Sequence, residues 1–339
     1  MTTMTPLIVA ISFAAGALAT LAIFQLVRPV LGGRMVWPAI VAAILTTGVT
    51  TFVGTLTDVA RMDYLLGLSA FALPVLVLLE AAAIGAGSHA LGRWVLMLGW
   101  GLIVFPGAAL LPLVITEPCR LSGCGFTDFG GALALFASAS AYVLLAGRSP
   151  QTPPPLVGGT EAIAAVLGFW VMFAIWLASL EADLDAYIPR ILLAGVVGPV
   201  AGALGWLLVD RLKAVGRSPL RSLGFGFLAG IAATASGAVT VSFPWTAVVA
   251  VLAGMVAALI HASRPIARAG PATRWGFTLL GATAMGFLAP PVWGDAVGIL
   301  FSAEVGVLAT PLMAFFGVAL GSLLVSAPTW LLIRRRRAA

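Results

Sequence analysis

The sequence predicts an all-α integral membrane protein with eleven transmembrane helices, its N-terminus outside the cytoplasm and its C-terminus inside. Three observations lead to this prediction: the composition, the recurrence of long apolar runs, and the distribution of positive charge between those runs. Of the 339 residues, 61% are hydrophobic and only 9% are charged, whereas a soluble domain carries about 25% charged residues. So few charges cannot cover a water-facing surface, and most of the surface is therefore expected to face lipid.

Apolar runs long enough to span a bilayer recur along the chain, with no soluble domain between them. A helix needs about 20 such residues to cross the hydrocarbon core. The last run is the longest and contains Pro311 and Pro328, which predicts a tilted or kinked helix. The predicted spans 1 to 11 cover residues 6–27, 35–57, 64–87, 94–116, 128–147, 162–180, 191–209, 222–240, 244–262, 275–292 and 305–333.

Lysine and arginine lie mainly on one side of these spans. The loops after spans 1, 3, 5, 7 and 9, together with the C-terminus, hold 15 of the 18 basic residues, and the positive-inside rule makes that side cytoplasmic. An excess of basic over acidic residues that is confined to such loops does not indicate nucleic-acid binding. No basic residue precedes Arg28, so the first run is expected to be a retained helix rather than a cleaved signal peptide. The predicted location is the cell membrane, inner or plasma.

The proline-rich stretch at residues 148–155 divides the spans into five, five and one. An odd number of spans per half makes the two halves inverted relative to each other, and inverted repeats place a substrate path near the midplane. We therefore expect one membrane domain over residues 1–339. Its first half covers about 1–147, its second half about 160–292, and its last helix about 305–333.

Several short motifs carry a resemblance to a known family. They are Asp128-Phe-Gly-Gly131 at the start of span 5, Ser242-Phe-Pro-Trp245 between spans 8 and 9, and Met285-Gly-Phe-Leu-Ala289 at the end of span 10. In this order and spacing, they resemble the ammonium transporter superfamily (Amt, Mep and Rh proteins) over roughly residues 60–333. The resemblance implies the same eleven-span topology and a homotrimer with a narrow pore in each protomer.

The residues that the resemblance places in the pore differ from those of the family. The family has two mid-membrane histidines, but here Phe136 takes the place of the first. The only histidines, His89 and His261, lie at the cytoplasmic ends of spans. In span 6, the family's gate phenylalanine falls on Ile175 and its asparagine on Trp176, while the serine is kept as Ser179. The sequence thus predicts a divergent member without the twin histidines.

Four further features have alternative interpretations. The family role of Asp128 is to hold the external vestibule, but the residue could simply be a helix N-cap. Cys119 and Cys124 lie in an external loop, where a disulfide is permitted, although two free thiols are the alternative. Glu80 lies inside span 3, where it could be functional or pair with Arg93. Four arginines end the chain and are expected to contact anionic lipid or stop translocation: Arg334, Arg335, Arg336 and Arg337.

Two functions remain open from the sequence. The first is a divergent channel for a small neutral solute, such as ammonia, methylamine or carbon dioxide. The second is a non-transporting relative that acts as a membrane anchor, a sensor or a subunit of a larger membrane complex. The sequence contains no phosphate-binding loop, zinc-ligand spacing or nucleophile motif, so neither an enzyme nor a cofactor is expected.

Overall fold

The computed structural model describes residues 5–32, 36–57, 61–119, 127–146, 159–181, 185–213, 219–295, 298–303 and 305–338. These residues are almost entirely helical, and their β-type pairing is an isolated bridge between Val241 and Gly294.

Up to residue 146, the described residues form seven α-helices and two π-helical segments, which lie at Trp100–Val104 and Ala132–Ala137. The α-helices are α1 Thr5–Leu31, α2 Trp37–Leu56, α3 Met62–Ala70, α4 Ala72–Gly85, α5 Ala90–Gly99, α6 Phe105–Cys119 and α7 Ser138–Tyr142, which a 3-10 turn at Leu144–Ala146 follows.

The second half begins at α8 and is followed by the last helix. Its elements are α8 Gly159–Ala178, α9 Tyr187–Leu212, α10 Pro219–Thr234, α11 Trp245–Ala262, α12 Arg264–Ala267, α13 Pro271–Phe287, α14 Ala289–Trp293 and α15 Ile299–Ser302. A 3-10 turn at Val305–Leu308 then leads into α16 Ala309–Ala338.

Each of the eleven predicted runs coincides with helical structure. Among the described residues, nine helical segments are long and apolar enough to cross a membrane, and two shorter apolar segments at 132–146 and 222–234 correspond to spans 5 and 8. Segment 132–146 is only about 22 Å long at 1.5 Å per residue. It is preceded by non-helical backbone that includes the buried Asp128, which is tolerated at membrane depth where protein surrounds it.

The two predicted halves have matching neighbours. Helix α2 packs on span 3 (α3 and α4) and on span 4 (α5, the first π-segment and α6), and α9 packs likewise on α10 and α11. Helix α1 packs along α8, and α13 packs on the second π-segment and α7. An inverted repeat would produce this pattern, because paired elements near the two-fold axis contact each other. The division into two halves stays a prediction.

Glycines allow three helices of the second half to touch through their backbones. A Cβ added at Gly202 of α9 would lie 2.5 Å from the carbonyl oxygen of Gly226 and 2.6 Å from the Cα of Gly230, both in α10. A Cβ added at Gly254 of α11 would overlap the carbonyl oxygen of Gly202. Small residues at such crossings are typical of membrane helices, which associate through close van der Waals packing.

A buried ion pair joins spans 2, 3 and 4. Glu80 is fully buried, and its Oε1 lies 2.9 Å from Nη1 of Arg93. Its Oε2 accepts a hydrogen bond of 3.2 Å from the backbone N–H of Ala39, in the first turn of α2. The pairing with Arg93 that the sequence suggested is therefore present, and the carboxylate also satisfies a donor at a helix N-terminus.

Candidate functional site

A stack of aromatic rings fills the space between spans 3 and 6. The rings of Phe71 and Trp176 are 4.2 Å apart between centroids, with 24° between their planes. Phe173 lies 6.0 Å from Phe71 and 5.9 Å from Trp176, and Phe169 lies 5.8 Å from Phe71. Phe71, Phe173 and Trp176 are each no more than 1% exposed, so this stack of four rings is buried between the two spans.

A break in span 3 positions Phe71. Helix α3 ends at Ala70 and α4 begins at Ala72, with Phe71 at φ −90° and ψ 1° between them. Pro74 explains the break, because it has no N–H to donate to the carbonyl of Ala70 four residues earlier. At the break, the N–H of Phe71 bonds at 3.2 Å to the carbonyl of Leu68, three residues earlier, and not to the residue four earlier as in an α-helix. The break therefore lies at the level of the stack.

Hydrogen bonds hold Trp176 in place. Its indole Nε1–H donates to the Gly67 carbonyl at 2.8 Å, which joins span 6 to span 3. The Ser179 hydroxyl donates to the Trp176 carbonyl at 2.7 Å, and it lies 2.7 Å from the hydroxyl of Ser12 in span 1. The three spans are thus connected by polar contacts just beside the rings.

Ile175, a predicted pore residue, lies on an exposed face of α8. It is 37% exposed and continues an exposed stripe at every fourth residue, and its predicted pore role stays a prediction. The next residue, Trp176, is fully buried. The other members of the exposed stripe are Ile163, Leu167 and Val171.

Phe136 lies in the second π-segment and is half-buried against the core. Such segments are rare and are frequent at functional sites. The first π-segment lies close by, because Trp100 in it donates its Nε1–H to the Ser138 hydroxyl at 3.0 Å. The predicted pore role of Phe136 agrees with this placement but stays a prediction.

Both histidines lie at helix ends, as the sequence indicated. His89 is the N-cap of α5, where its Nδ1 accepts a hydrogen bond of 2.9 Å from the Gly92 N–H. His261 lies in the last turn of α11 and is only 5% exposed, so it is more buried than a loop-edge position suggested. Its Nδ1 lies 3.2 Å from the Thr278 hydroxyl. The helix-capping and packing contacts explain both residues without a role in the pore.

Asp128 caps span 5, which is one of the two interpretations that the sequence left open, and its vestibule role stays a prediction. Its two carboxylate oxygens accept hydrogen bonds of 2.6 and 2.9 Å from the N–H groups of Ala132 and Leu133, which makes it the cap of span 5. Its carbonyl accepts a 2.7 Å bond from the Tyr64 hydroxyl of span 3. Gly131, with φ +61°, gives the turn a left-handed conformation that glycine adopts without strain.

Other predicted site residues lie outside the described part of the chain. Cys124 and the side chain of Cys119 are in this group, as are the side chains of the arginines at 334–337, so the disulfide and the lipid contact stay predictions. Among the described residues, no three His, Cys, Asp or Glu side chains come together as a metal site would require.

Sequence reasoning did not find Phe71, Phe173 or Gly67. In a lipid-embedded helix an aromatic residue is equally acceptable on the inner and the outer face, so residue type alone does not separate the two. Pro74 is the one sequence signal that could have indicated the position of Phe71, because a proline predicts a helix break in the turn that precedes the proline.

Solved structures share this fold over almost the whole chain. A double-mutant form of Mep2 from Candida albicans matches with a TM-score of 0.79 at 14% identity, over 96% of this chain and 85% of that chain. Mep2 from Saccharomyces cerevisiae matches with a TM-score of 0.71 at 12% identity, over 95% and 86%. A sensor Amt protein matches with a TM-score of 0.75 at 13% identity, over 98% and 93%. No family model and no curated protein matches the sequence.

Among the described residues, the apolar helices of membrane-spanning length are those of a multi-pass membrane protein. Its fold is that of the solved Mep2 and sensor Amt structures, which is the fold that the motif resemblance implied.

Proposed function

We propose that this chain is an ammonium-transporter-like channel for a small uncharged solute, such as ammonia, methylamine as the free base, or carbon dioxide. The proposal includes eleven spans with the N-terminus outside, a cell-membrane location, and a homotrimer in which each protomer has its own path. The fold shared with Mep2 and Amt proteins supports the class of protein. The aromatic stack supports the choice of an uncharged solute.

The stack presents carbon surfaces to anything that passes between spans 3 and 6. An ion moved from water into such a site loses its hydration shell without a compensating partner, which is very costly. A small neutral molecule loses little by comparison. The buried rings of Phe71, Phe173 and Trp176 are therefore the single observation on which the proposed solute class depends.

The residue at the first pore-histidine position also favours an uncharged solute. Imidazole can accept and release protons near physiological pH, but the ring of Phe136 cannot. His89 and His261 are engaged at helix ends. An ammonium ion would therefore have to lose its proton before it enters the path.

The bond between Trp176 and Gly67 means that the stack is held closed. Passage requires the indole to move or the rings to separate briefly, so removal of the indole is expected to speed permeation. Trp170, on the same helix, provides a matched control. It donates its Nε1–H to the Gly195 carbonyl at 3.1 Å and packs on Phe227, away from Phe71.

Liposomes that contain the purified protein and a trapped pH-sensitive dye test the proposal. Ammonia or methylamine entry raises the internal pH, and carbon dioxide entry lowers it. We expect permeation of at least one of these solutes above that of protein-free liposomes, an increase with Trp176→Ala, and no increase with Trp170→Ala.

Permeation no faster than in protein-free liposomes, for the wild type, Trp176→Ala and Phe136→His alike, would overturn the channel. The non-transporting anchor, sensor or subunit would then replace it. Purification from native membranes with associated proteins would test that alternative, and native mass spectrometry of the same sample would test the trimer.

A further inference from the structure

A small cavity lies where span 8 ends and span 9 begins, next to the short helix α14. Its volume is about 10 Å³, and its seven lining residues are all buried. Two of them, Thr234 and Thr246, have hydroxyl groups, and the other five are Ala233, Gly237, Val241, Val249 and Ala289. The cavity therefore has apolar walls with two polar groups, and other elements line it than those that form the aromatic stack.

Both hydroxyl groups already donate their hydrogen to a backbone carbonyl. The Thr234 hydroxyl donates to the Gly230 carbonyl of the same helix at 2.9 Å. The Thr246 hydroxyl lies 3.1 Å from the carbonyl oxygen of Val241 and 3.3 Å from that of Ser242. A hydroxyl oxygen that donates in this way can still accept hydrogen bonds. A molecule in the cavity is therefore held best if it donates hydrogen bonds to both threonines.

The size and the chemistry of the cavity fit a single water molecule. A buried water needs a space of about 10–15 Å³ and two to four polar partners, and the cavity has about 10 Å³ and two threonine hydroxyls. Water carries two hydrogens, so it can donate one to each threonine oxygen. The seven lining residues are all uncharged, so an ion there would lose its hydration without a compensating charge.

A set of polar contacts fixes the chain segment that covers the cavity. The Val241 carbonyl accepts a 3.3 Å hydrogen bond from Nε–H of Arg190, and Nη2 of Arg190 lies 2.6 Å from Oδ2 of Asp295. Asp295 donates its backbone N–H to the Thr240 carbonyl at 2.9 Å. Residues 240 and 241 are thus held by both partners of one ion pair, and Val241 is only 2% exposed.

We propose that this cavity is a binding site for one water molecule, which donates hydrogen bonds to the hydroxyl oxygens of Thr234 and Thr246. The water joins span 8 to span 9 at the point where α10 has ended and α11 has just begun. The segment held by Arg190 and Asp295 separates this water from the external solution. The site belongs to spans 8 and 9 and is independent of the path proposed between spans 3 and 6.

X-ray footprinting of the purified full-length chain in detergent tests the site, with water itself as the probe. The beam converts water to hydroxyl radicals, and a radical formed inside the protein oxidises the side chains beside it. We expect Val241 and Val249, which are 2% and 1% exposed, to be oxidised faster than Val209. Val209 is a matched control, because it is the same residue type, is 3% exposed and lies in α9 outside the cavity lining. A radical scavenger in the buffer is expected to leave this difference unchanged.

Two variants of Thr234 test the hydrogen bond. Thr234→Val keeps the shape of the side chain but removes one acceptor. A neutral hydrogen bond of about 1 kcal/mol corresponds to about a fivefold change in affinity, so the oxidation of Val241 and Val249 is expected to slow about fivefold. Thr234→Ser keeps the hydroxyl and is expected to keep the oxidation rate of the wild type.

Oxidation of Val241 and Val249 no faster than that of Val209 in the wild type would overturn the proposal. So would an oxidation rate that Thr234→Val leaves unchanged. Should Thr234→Val not yield folded protein, the wild-type comparison still decides, because it needs no variant. Neither measurement depends on permeation, so a dry cavity in a conducting protein would remove the site alone, and a hydrated cavity without permeation would remove the channel alone.

Discussion

Gly202 lies where three helices of the second half meet, and its replacement by alanine offers a quantitative test of the packing. The added Cβ would lie 2.5 Å from the Gly226 carbonyl oxygen and 2.6 Å from the Gly230 Cα, whereas ordinary contacts begin at 3.4 Å. The obstructing atoms belong to the α10 backbone, which cannot rotate away as a side chain would. Helices α9 and α10 would therefore have to separate by roughly 1 Å, a scale at which close-packed contacts lose much of their attraction.

The expected cost is set by two opposing effects. Overpacking a well-packed core by one methyl-sized group destabilises by about 1–3 kcal/mol, and sometimes more. Replacing glycine by alanine within a helix contributes up to about 1 kcal/mol in the opposite direction. Because the obstacle is backbone, we expect Gly202→Ala to lower the free energy of unfolding by about 2 kcal/mol. With an unfolding entropy of about 2.1 cal/mol/K per residue, this corresponds to a fall of about 3 °C in unfolding temperature for a chain of this length.

Gly317 of α16 is the matched control, because a Cβ there would meet nothing within 4 Å. Gly317→Ala is expected to leave the unfolding temperature unchanged or to raise it slightly. Thermal unfolding in one detergent, followed by tryptophan fluorescence and size-exclusion chromatography, compares the two variants. Equal unfolding temperatures for Gly202→Ala and Gly317→Ala would refute the inferred backbone contact between α9 and α10.

Three further predictions concern the polar anchors and the stack. Arg93→Met leaves the buried Glu80 carboxylate without its ion pair, so it is expected to destabilise by about 3 kcal/mol, measured by thermal unfolding; Arg93→Lys is expected to lose less. Asp128→Ala leaves two backbone N–H groups without their acceptor, so it is expected to lower the free energy of unfolding by about 2 kcal/mol. Asp128→Asn is expected to lower it by a smaller amount. An unchanged unfolding temperature for Asp128→Ala would contradict the capping role. Trp176→Ala is expected to cost about 3–5 kcal/mol, whereas Ile175→Ala, on the exposed stripe, is expected to change stability little; equal losses would show that the assignment of the two helix faces is wrong.

Much of this architecture follows from the amino-acid sequence alone. Among the described residues, apolar runs located the nine helical segments of membrane-spanning length and two shorter ones, because every backbone polar group in a bilayer must be satisfied and a helix does this within one segment. The Glu80–Arg93 pair and the cap at Asp128 were each among the alternatives that the sequence left open, since a carboxylate inside or at the end of a membrane helix needs a partner. These inferences depend on local chemistry and need no knowledge of which helix packs on which.

Only the tertiary structure decided which side chains face inward. In a soluble helix, an apolar stripe marks the buried face, but α8 is apolar all around, so Ile175 and Trp176 are equally acceptable to lipid. The choice came from packing: Trp176 stacks on Phe71 and donates to the Gly67 carbonyl of another span, while Ile175 remains on the outer stripe. The contact of Arg61 with Leu180 joins residues 119 positions apart, and only the folded chain brings them together.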